Sequence, residues 1–283
     1  MAQAGTPSPG AAQGVPEGLS TVANIVAVAS GKGGVGKSTT TVNLALALLA
    51  EGQRVGVLDA DIYGPSIGML VGVPQGTQPK VVNGNTFVPV EAHGLKTNSM
   101  AYLASDSTPM VWRGPMAGGA LTQLLTQTLW GELDILLVDM PPGTGDIQLT
   151  LAQKAEVAGA VIVTTPQDLA LLDARKGIEM FRKVNIPVLG VVENMALHIC
   201  SQCNHAEPIF GEGGGAKVAG EYEAELLGSL PLDRRIREGD AGQPITVAEP
   251  EGDIAKSYRG IARALIAALE GVDTGGPEII IGD

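Results

Sequence analysis

The glycine-rich stretch SGKGGVGKSTT (30–40) constrains the fold more than any other part of this chain. It follows the apolar run NIVAVAS (24–30) and leads into a segment with helical spacing, 37–52. It satisfies the pattern G-x-x-x-x-G-K-[ST], whose four defined positions are Gly31, Gly36, Lys37 and Ser38. Glycines between a strand and a helix let successive backbone N–H groups turn inward around a phosphate, and the helix N-terminus favours negative charge. The stretch therefore predicts a phosphate-binding loop between the first strand and the first helix.

Apolar, β-branched runs recur along the chain, separated by segments of helix length. Besides 24–30, they are RVGVLDA (54–60), DILLVDM (134–140), AGAVIVTT (158–165) and IPVLGVVEN (186–194). Strands that are apolar on both faces and alternate with helices are typical of a parallel sheet. We predict an α/β fold with a mostly parallel central sheet flanked by helices.

Helical spacing appears in three of the intervening segments. The first, 37–52, is expected to end at Gly52, and the second, 168–184, has Asp168 as its candidate N-cap. The third, 257–272, closes the predicted domain. Residues 72–100 are rich in Gly, Pro, Asn and Thr, which predicts an irregular or hairpin excursion.

Composition excludes several classes of protein. Thirty acidic against 18 basic residues give a net charge of −12, which disfavours nucleic acid and anionic membranes as partners. No apolar run reaches the roughly 18 residues of a membrane span. Two cysteines in 283 residues cannot form a disulfide framework, and we expect a reducing, cytoplasmic setting. We predict a flexible N-terminal tail (1–22), one domain (23–272) and a C-terminal tail (273–283).

Acidic residues close two of the predicted strands. Open parallel sheets bind ligands at the carboxyl ends of their strands, so Asp139 should lie beside the phosphate loop. We predict that Lys37 reaches the β- and γ-phosphates of ATP, that Ser38 ligates Mg²⁺, and that Asp139 holds Mg²⁺ through a water. Asp59 closes 54–60, where a carboxylate either serves the site or caps the following turn, and the sequence leaves both interpretations open.

Both cysteines lie in LHICSQCNH (197–205), as a C-x-x-C pair. A redox dithiol would need a helix after Cys200, and the segment has no helical character. Buried structural thiols do not suit its polar neighbours. A zinc site with His198 and His205 is chemically possible, although four ligands within eight residues leave little chain to surround the metal. The fourth interpretation is half of a site to which a second chain adds two thiolates, for an iron–sulfur cluster or zinc.

Four longer segments, taken together, resemble one family. They are KGGVGKS (32–38), LDADIYGPSIGMLVG (58–72), VDMPPGTGDIQLTLAQ (138–153) and ENMALHICSQCNHAEPIFGEGGG (193–215). They resemble the Mrp/ApbC (Nbp-type) iron–sulfur cluster carriers, which are P-loop ATPases of the deviant Walker A group that also includes MinD and ParA. The resemblance covers roughly residues 20–270. The sequence departs from the pattern of many members at Ser201 and Asn204, which leaves both cysteines in place.

The resemblance implies a fold, a set of roles and partners. It implies a P-loop NTPase fold of the deviant Walker A type and a homodimer that holds a [4Fe–4S] cluster on Cys200 and Cys203 of both subunits, in a metal-binding loop near 198–215. The cluster would be passed to apo-proteins, with ATP hydrolysis coupled to loading or transfer, and zinc could take its place. Lys32 would reach the nucleotide of the partner subunit, Asp61 would orient or activate the attacking water, and Asn194 would contact adenine.

Together these inferences define a predicted site. The nucleotide-binding residues are Gly31, Lys32, Gly33, Gly34, Val35, Gly36, Lys37, Ser38, Thr39, Asp139 and Asn194, and the predicted catalytic residues are Lys32, Lys37 and Asp61. The alternative function is a MinD/ParA-like positioning ATPase on a membrane or nucleoid surface. The closing helix has only Lys256, Arg259 and Arg263 as basic residues, which does not favour an anionic partner surface.

Overall fold

The computed structural model describes residues 18–103, 114–143, 145–200, 202–203 and 205–271. The predicted tails therefore lie almost entirely outside the described residues. The predicted N-terminal tail (1–22) overlaps the folded part of the chain slightly. Leu19 is buried, and the first strand starts at Val22. Among the described residues, no helix is long and apolar enough to cross a bilayer.

Strands and helices alternate from the first strand onward. The strands are β1 (Val22–Ala29), β2 (Val55–Asp59), β3 (Val81–Val82), β4 (Thr86–Phe87), β5 (Val90–Ala92), β6 (Leu95–Ser99), β7 (Leu133–Asp139), β8 (Val157–Thr164), β9 (Val188–Glu193), β10 (His198–Ile199), β11 (Ala206–Glu207) and β12 (Leu226–Ser229). The α-helices are α1 (Lys37–Ala50), α2 (Ile67–Leu70), α3 (Gly114–Thr126), α4 (Asp146–Lys154), α5 (Asp168–Lys183), α6 (Gly214–Glu221), α7 (Arg234–Gly239), α8 (Ile245–Ala248) and α9 (Asp253–Gly271).

The central sheet confirms the predicted fold class. Within the described residues it has eight strands in the order β12-β9-β8-β1-β7-β2-β6-β5. Neighbouring strands are parallel except at the edge, where β5 runs antiparallel to β6. Because β1 lies in the middle, the phosphate loop leaves the sheet at the centre of its C-terminal edge, which is where ligands of open α/β sheets bind.

Helices cover both faces of the sheet and enclose two apolar cores. One core packs side chains of α3, α4, α5 and α6 against residues such as Ala27 and Val138. The other packs α1 and α9 against residues such as Val28 and Leu137. Strands that are buried on both faces appear in the sequence as continuous apolar runs, and this explains why five of them were predictable.

The predicted helix boundaries were partly confirmed. Helix α1 ends at Ala50, and Gly52, with φ of +89°, takes the left-handed conformation that terminates it. The N–H groups of Gly52 and Gln53 donate to the carbonyls of Leu49 and Leu48 (3.0 and 3.1 Å), which is a Schellman arrangement. Asp168 was wrongly predicted as an N-cap: the cap of α5 is Gln167, and Asp168 is the first helical residue, where its charge favours the helix N-terminus.

The excursion predicted at 72–100 contains the short hairpin β3–β4 but also contributes to the central sheet. Strand β6 joins it parallel to β2, and β5 adds the antiparallel edge. This part of the chain was therefore more regular than its composition indicated.

Candidate nucleotide site and cysteine hairpin

The conformation of the phosphate loop favours glycine at several positions. Gly34 and Gly36 have φ of +82° and +80°, a region that favours glycine. A Cβ on Gly31 would overlap the backbone of Asp173 in α5, and one on Gly36 would overlap the side-chain amide of Asn194. The N-terminus of α1 receives no side-chain cap, so its amide groups are available to an anion.

Lys37, Ser38 and Asp139 meet at the first turn of α1, as predicted. Lys37 Nζ lies 2.7 Å from Asp139 Oδ2, and the pair is buried, with 6% and 0% of the side chains exposed. The Ser38 hydroxyl donates to Asp139 Oδ2 (2.6 Å), and the Thr41 hydroxyl donates to Asp139 Oδ1 (2.7 Å). A hydroxyl and a carboxylate this close together supply the oxygen ligands that Mg²⁺ prefers. The donor set therefore fits Mg²⁺, with Lys37 beside it for phosphate.

Asp59 proves to be a capping residue. Strands β2 and β7 pair with Asp59 directly opposite Asp139. Its Oδ2 accepts hydrogen bonds from the N–H groups of Ser66 (2.9 Å) and Ile67 (3.1 Å) at the start of α2, and from the Ser99 hydroxyl (3.0 Å). Complete burial, reinforced by the negative charge of Asp139, raises the pKa of Asp59 to about 7. Of the two interpretations left open by the sequence, the structure supports the cap.

Asp61 follows in the loop that Asp59 anchors. The Asp61 N–H donates to Asp59 Oδ1 (3.1 Å), and Asp61 Oδ1 accepts from the Gly64 N–H (3.2 Å). The half-buried carboxylate lines a cleft of about 270 Å³ together with Lys37, Ser38 and Pro142. Burial raises the pKa of Asp61, and the charge of Lys37 opposes that rise.

Asp240 is a cleft residue that sequence reasoning missed. It lies at the end of α7, far from the phosphate loop in sequence, and lines the same cleft. The Thr39 hydroxyl donates to its carboxylate (3.1 Å), and burial raises the pKa of Asp240. No local motif marks it. Lys32 lies half-buried in the phosphate loop and forms no ion pair with the described part of the chain.

Asn194 lies beside the phosphate loop, at the end of β9. Its side-chain NH₂ donates to the carbonyl of Val35 (2.8 Å), and its Oδ1 accepts from the N–H of Met195 (3.0 Å). The side chain is buried, with 7% exposed. Asn194 thus lies against the phosphate loop, and its predicted contact with adenine stays a prediction.

The two cysteines lie at the tip of a small hairpin. Strands β10 and β11 pair antiparallel, and the Cys200 N–H donates to the carbonyl of His205 (2.9 Å). Both thiols are free; Cys203 is exposed and Cys200 half-buried. The pKa of the Cys200 thiol is lowered mainly by hydrogen bonds from the backbone N–H groups of Gln202 and Cys203. A hydrogen bond from the Cys203 thiol lowers it further.

This hairpin does not assemble a complete metal site by itself. In the part of the chain that the structure describes, no group of three or more His, Cys, Asp or Glu side chains is arranged to hold a metal ion. His198 Nδ1 lies 3.2 Å from the carbonyl of Leu232 instead. The single-chain zinc site with His198 and His205 is therefore not formed.

Glu193 is a second residue that the sequence analysis missed. It ends β9 and is buried, with 4% exposed. Its Oε1 accepts from the N–H of Gly215 in the first turn of α6 (2.7 Å). Its local signals were a charged residue at the end of an otherwise apolar strand, VLGVVE, and its place at the start of the segment 193–215.

Comparisons of the sequence with known proteins identify the family of this chain. A family model described as NUBPL iron-transfer P-loop NTPase, of the ParA group, matches residues 21–266. An iron–sulfur cluster carrier protein of Pseudomonas fragi is 67% identical over 256 residues, which are 90% of this chain and 89% of the relative. An iron–sulfur cluster transfer protein NUBPL of Dictyostelium discoideum is 46% identical and covers 88% of this chain and 77% of its own length.

Solved structures support the same assignment. A nucleotide-binding protein of Archaeoglobus fulgidus in complex with ADP superposes with a TM-score of 0.73 at 39% identity, over 86% of this chain and 94% of its own. The cell division ATPase MinD of Pyrococcus furiosus reaches a TM-score of 0.65 at 23% identity, over 87% and 99% of the two chains, and shows the fold alone. Sequence, phosphate loop and fold agree, and the chain belongs to the family of iron-transfer P-loop NTPases.

Proposed function

We propose that this chain is an ATP-dependent carrier that holds a [4Fe–4S] cluster between two copies of itself and delivers it to apo-proteins. The observation that carries the proposal is the incomplete cysteine site in the segment that follows β9. The chain supplies two thiolates, and no third ligand lies near them among the described residues. Four thiolates are the usual ligand set of a [4Fe–4S] cluster, so a two-fold axis through the hairpin would complete the site.

The distribution of exposed apolar side chains supports this two-fold arrangement. Many of them lie in the segments that follow the C-terminal ends of β2, β6, β8 and β9, which is the edge that holds the phosphate loop. They are Tyr63, Met69, Met116, Leu169, Leu197, Ile199 and Ile209, whereas the exposed Leu149 and Leu172 line a groove between α4 and α5. Apolar surface gathered on one side of a molecule is typical of an interface. A second copy that docks there would bring the two cysteine hairpins and the two nucleotide sites together.

The positions of the side chains support the following roles at the nucleotide. Lys37 exchanges Asp139 for the phosphates of ATP, which leaves Asp139 and Ser38 to hold Mg²⁺. Asp61, in the cleft, orients the water that attacks the γ-phosphate, with ADP as the leaving group. Lys32 has no intrachain ion pair in the described structure and reaches the nucleotide of the other subunit, where it balances the charge that develops during hydrolysis.

The cluster is cargo in this scheme, so its site must also release it. A hairpin with one exposed thiol suits both loading and transfer. Zinc would fit the same four thiolates as a replacement. Since both cysteines are unpaired and cluster ligands must stay reduced, we place the chain in the cytoplasm.

The decisive experiment is anaerobic reconstitution of the reduced chain with iron and sulfide. We expect a brown product with about four irons per two chains, because two Cys pairs complete one cluster. Cys200→Ser and Cys203→Ser should each lose the cluster and retain the affinity for Mg·ATP. Transfer is then measured as the activity gained by an apo-protein that needs a [4Fe–4S] cluster.

Two outcomes would contradict the proposal. A colourless product that hydrolyses ATP and sediments with anionic vesicles would favour a positioning ATPase. A Cys200→Ser variant that keeps its full iron content would show that the cluster lies elsewhere. A Ser201→Ala variant, which changes the residue between the cysteines and leaves both thiols, is the matched control and should load iron as the parent chain does.

A further inference from the structure

The segment that leads to the cysteines starts in direct contact with the phosphate loop. Asn194 donates to the carbonyl of Val35 (2.8 Å), and the side chains of Asn194 and Met195 both lie against Gly36, immediately before Lys37. Met195 has a φ of +57°, an uncommon conformation for a residue with a side chain. Backbone strain of this kind persists only where surrounding contacts enforce it. The start of the cysteine segment is therefore fitted closely to the phosphate loop.

The other end of the same segment is held by Glu193, the residue before Asn194. Glu193 accepts the N–H of Gly215 (2.7 Å), and a Cβ on Gly215 would lie 2.7 Å from the Glu193 Cβ. The chain leaves β9 after Glu193 and returns to it at Gly215, so the two ends of this excursion meet at Glu193. The carboxylate is buried, and such a group without its hydrogen-bond partner would be costly. The two ends of the excursion are thus held at the adjacent residues Glu193 and Asn194.

A series of backbone hydrogen bonds holds the part of the chain between Asn194 and the cysteine hairpin. The N–H of Ala196 donates to the carbonyl of Leu230 (2.9 Å), and the N–H of Leu232 donates to the carbonyl of Leu197 (2.8 Å). His198 continues the pairing with Leu232 and opens the hairpin that carries Cys200. The path from the phosphate loop to the first thiol is therefore short, and most of it is held by backbone hydrogen bonds.

We propose that Glu193 and Asn194 couple the nucleotide site to the cysteine hairpin. When phosphates bind, the loop around Val35 and Gly36 rearranges its hydrogen bonds, and Asn194 transmits the change to residues 195–200. Glu193 keeps the far end of the excursion in place, so that the change is concentrated at the thiols. Because the coupling concerns regulation of the cysteine pair, it rests on the proposed function. Asn194 and Glu193 are positioning residues in this scheme.

The test measures thiol reactivity rather than cluster content. The reduced, metal-free chain is labelled with a maleimide at Cys200 and Cys203, with and without saturating Mg·ADP. In the parent chain we expect Mg·ADP to change the labelling rate by at least about fivefold, the lower range of measured coupling between sites. Asn194→Ala removes both hydrogen bonds, and Asn194→Asp keeps only the acceptor for Met195. Both should bring the ratio of rates close to one, with saturation confirmed by a fluorescent ADP analogue.

Matched variants separate a loss of coupling from a general loss of structural stability. Asn24→Ala removes an amide that bonds the Asp134 carbonyl at the opposite edge of the sheet, and it should keep the ratio of the parent chain. Glu193→Gln retains an acceptor for Gly215 and should also keep the ratio, whereas Glu193→Ala should reduce it. The coupling is overturned if Mg·ADP leaves the parent chain unchanged, or if both Asn194 variants respond as the parent does. Iron content without nucleotide tests the cluster separately, so failure of one proposal is distinguishable from failure of the other.

Discussion

At the scale of single residues, the proposed roles of Lys37 and Ser38 both depend on Asp139. Asp139 receives Lys37, Ser38 and Thr41 at once and has no exposed surface. A buried carboxylate with three donors holds the lysine in a defined place. In the proposed scheme, the lysine then leaves Asp139 for the phosphates, and the freed carboxylate oxygens bind Mg²⁺ together with Ser38.

Asp139→Asn should therefore separate the phosphate and metal contributions to nucleotide binding. We expect the gain in ADP affinity that Mg²⁺ provides to fall by roughly tenfold or more, since a charged contact worth about 1.5 kcal/mol is removed. Affinity in EDTA should stay the same or rise, because Lys37 no longer has a carboxylate partner. Calorimetric titration with Mg²⁺ and with EDTA measures both. Asp134→Asn, near the other end of the same strand, is the control, and an unchanged Mg²⁺ dependence in Asp139→Asn would refute the role of Asp139.

At the scale of elements, helix ends show how directly local sequence determines local structure. Gly52 has a φ of +89°, and no atom lies within 4 Å of the place that a Cβ would take, so only its backbone conformation requires glycine. Gly260 lies inside α9, also with open space around it and an ordinary helical φ. The same substitution should thus have opposite effects at the two positions.

Gly52→Ala should lower the free energy of unfolding by about 1 kcal/mol, because alanine is strained in the left-handed region. Gly260→Ala should raise it by about 0.5–1 kcal/mol, because glycine is a poor helix former in a helix interior. Urea denaturation followed by circular dichroism measures both. Neither substitution touches the cleft, so ADP affinity should not change, and equal effects on stability would contradict the assignment of Gly52 as the helix terminator.

The elements also show what sequence reasoning could and could not predict. Strands β1, β2, β7, β8 and β9 were predictable because burial on both faces makes them apolar throughout. Strand β6 was not, because its buried positions include Thr97, Asn98 and Ser99. These side chains are satisfied by partners distant in sequence, such as Thr128 for Asn98 (2.8 Å) and Asp59 for Ser99 (3.0 Å). No hydrophobic pattern can reveal a polar strand whose hydrogen bonds depend on the completed fold.

The residues of the candidate site also divide into those that were predictable from the sequence and those that were not. The phosphate loop and Asp139 could be predicted because a motif and a strand end determine their positions. Asp240 and Glu193 could not, because each gains its role from a tertiary contact, with Thr39 and Gly215 respectively. The hydrogen bond from Asn194 to Val35 was equally hidden, since 159 residues separate the two in sequence.

At the scale of the whole molecule, the two edges of the sheet differ in character. The C-terminal edge holds the phosphate loop, the cysteine hairpin and many exposed apolar side chains, including Leu169, which is 70% exposed on the first turn of α5. At the N-terminal edge, Leu129 is 47% exposed in the segment between α3 and β7. The two leucines are both well exposed and lie at opposite edges, which makes them a matched pair for locating the proposed interface.

Leu169→Lys should prevent dimerisation, because a lysine would bury its charge against the second copy without a partner, at a cost of several kcal/mol. Leu129→Lys should dimerise like the parent chain. Sedimentation velocity with a non-hydrolysable ATP analogue and Mg²⁺ measures the association, and ADP affinity of the monomer checks that each variant is folded. Because a shared cluster needs both hairpins, Leu169→Lys should also lose iron on reconstitution while its own cysteines remain intact. If Leu169→Lys dimerises and loads iron as Leu129→Lys does, the second copy docks on another face and the two thiolates that complete the site must come from elsewhere.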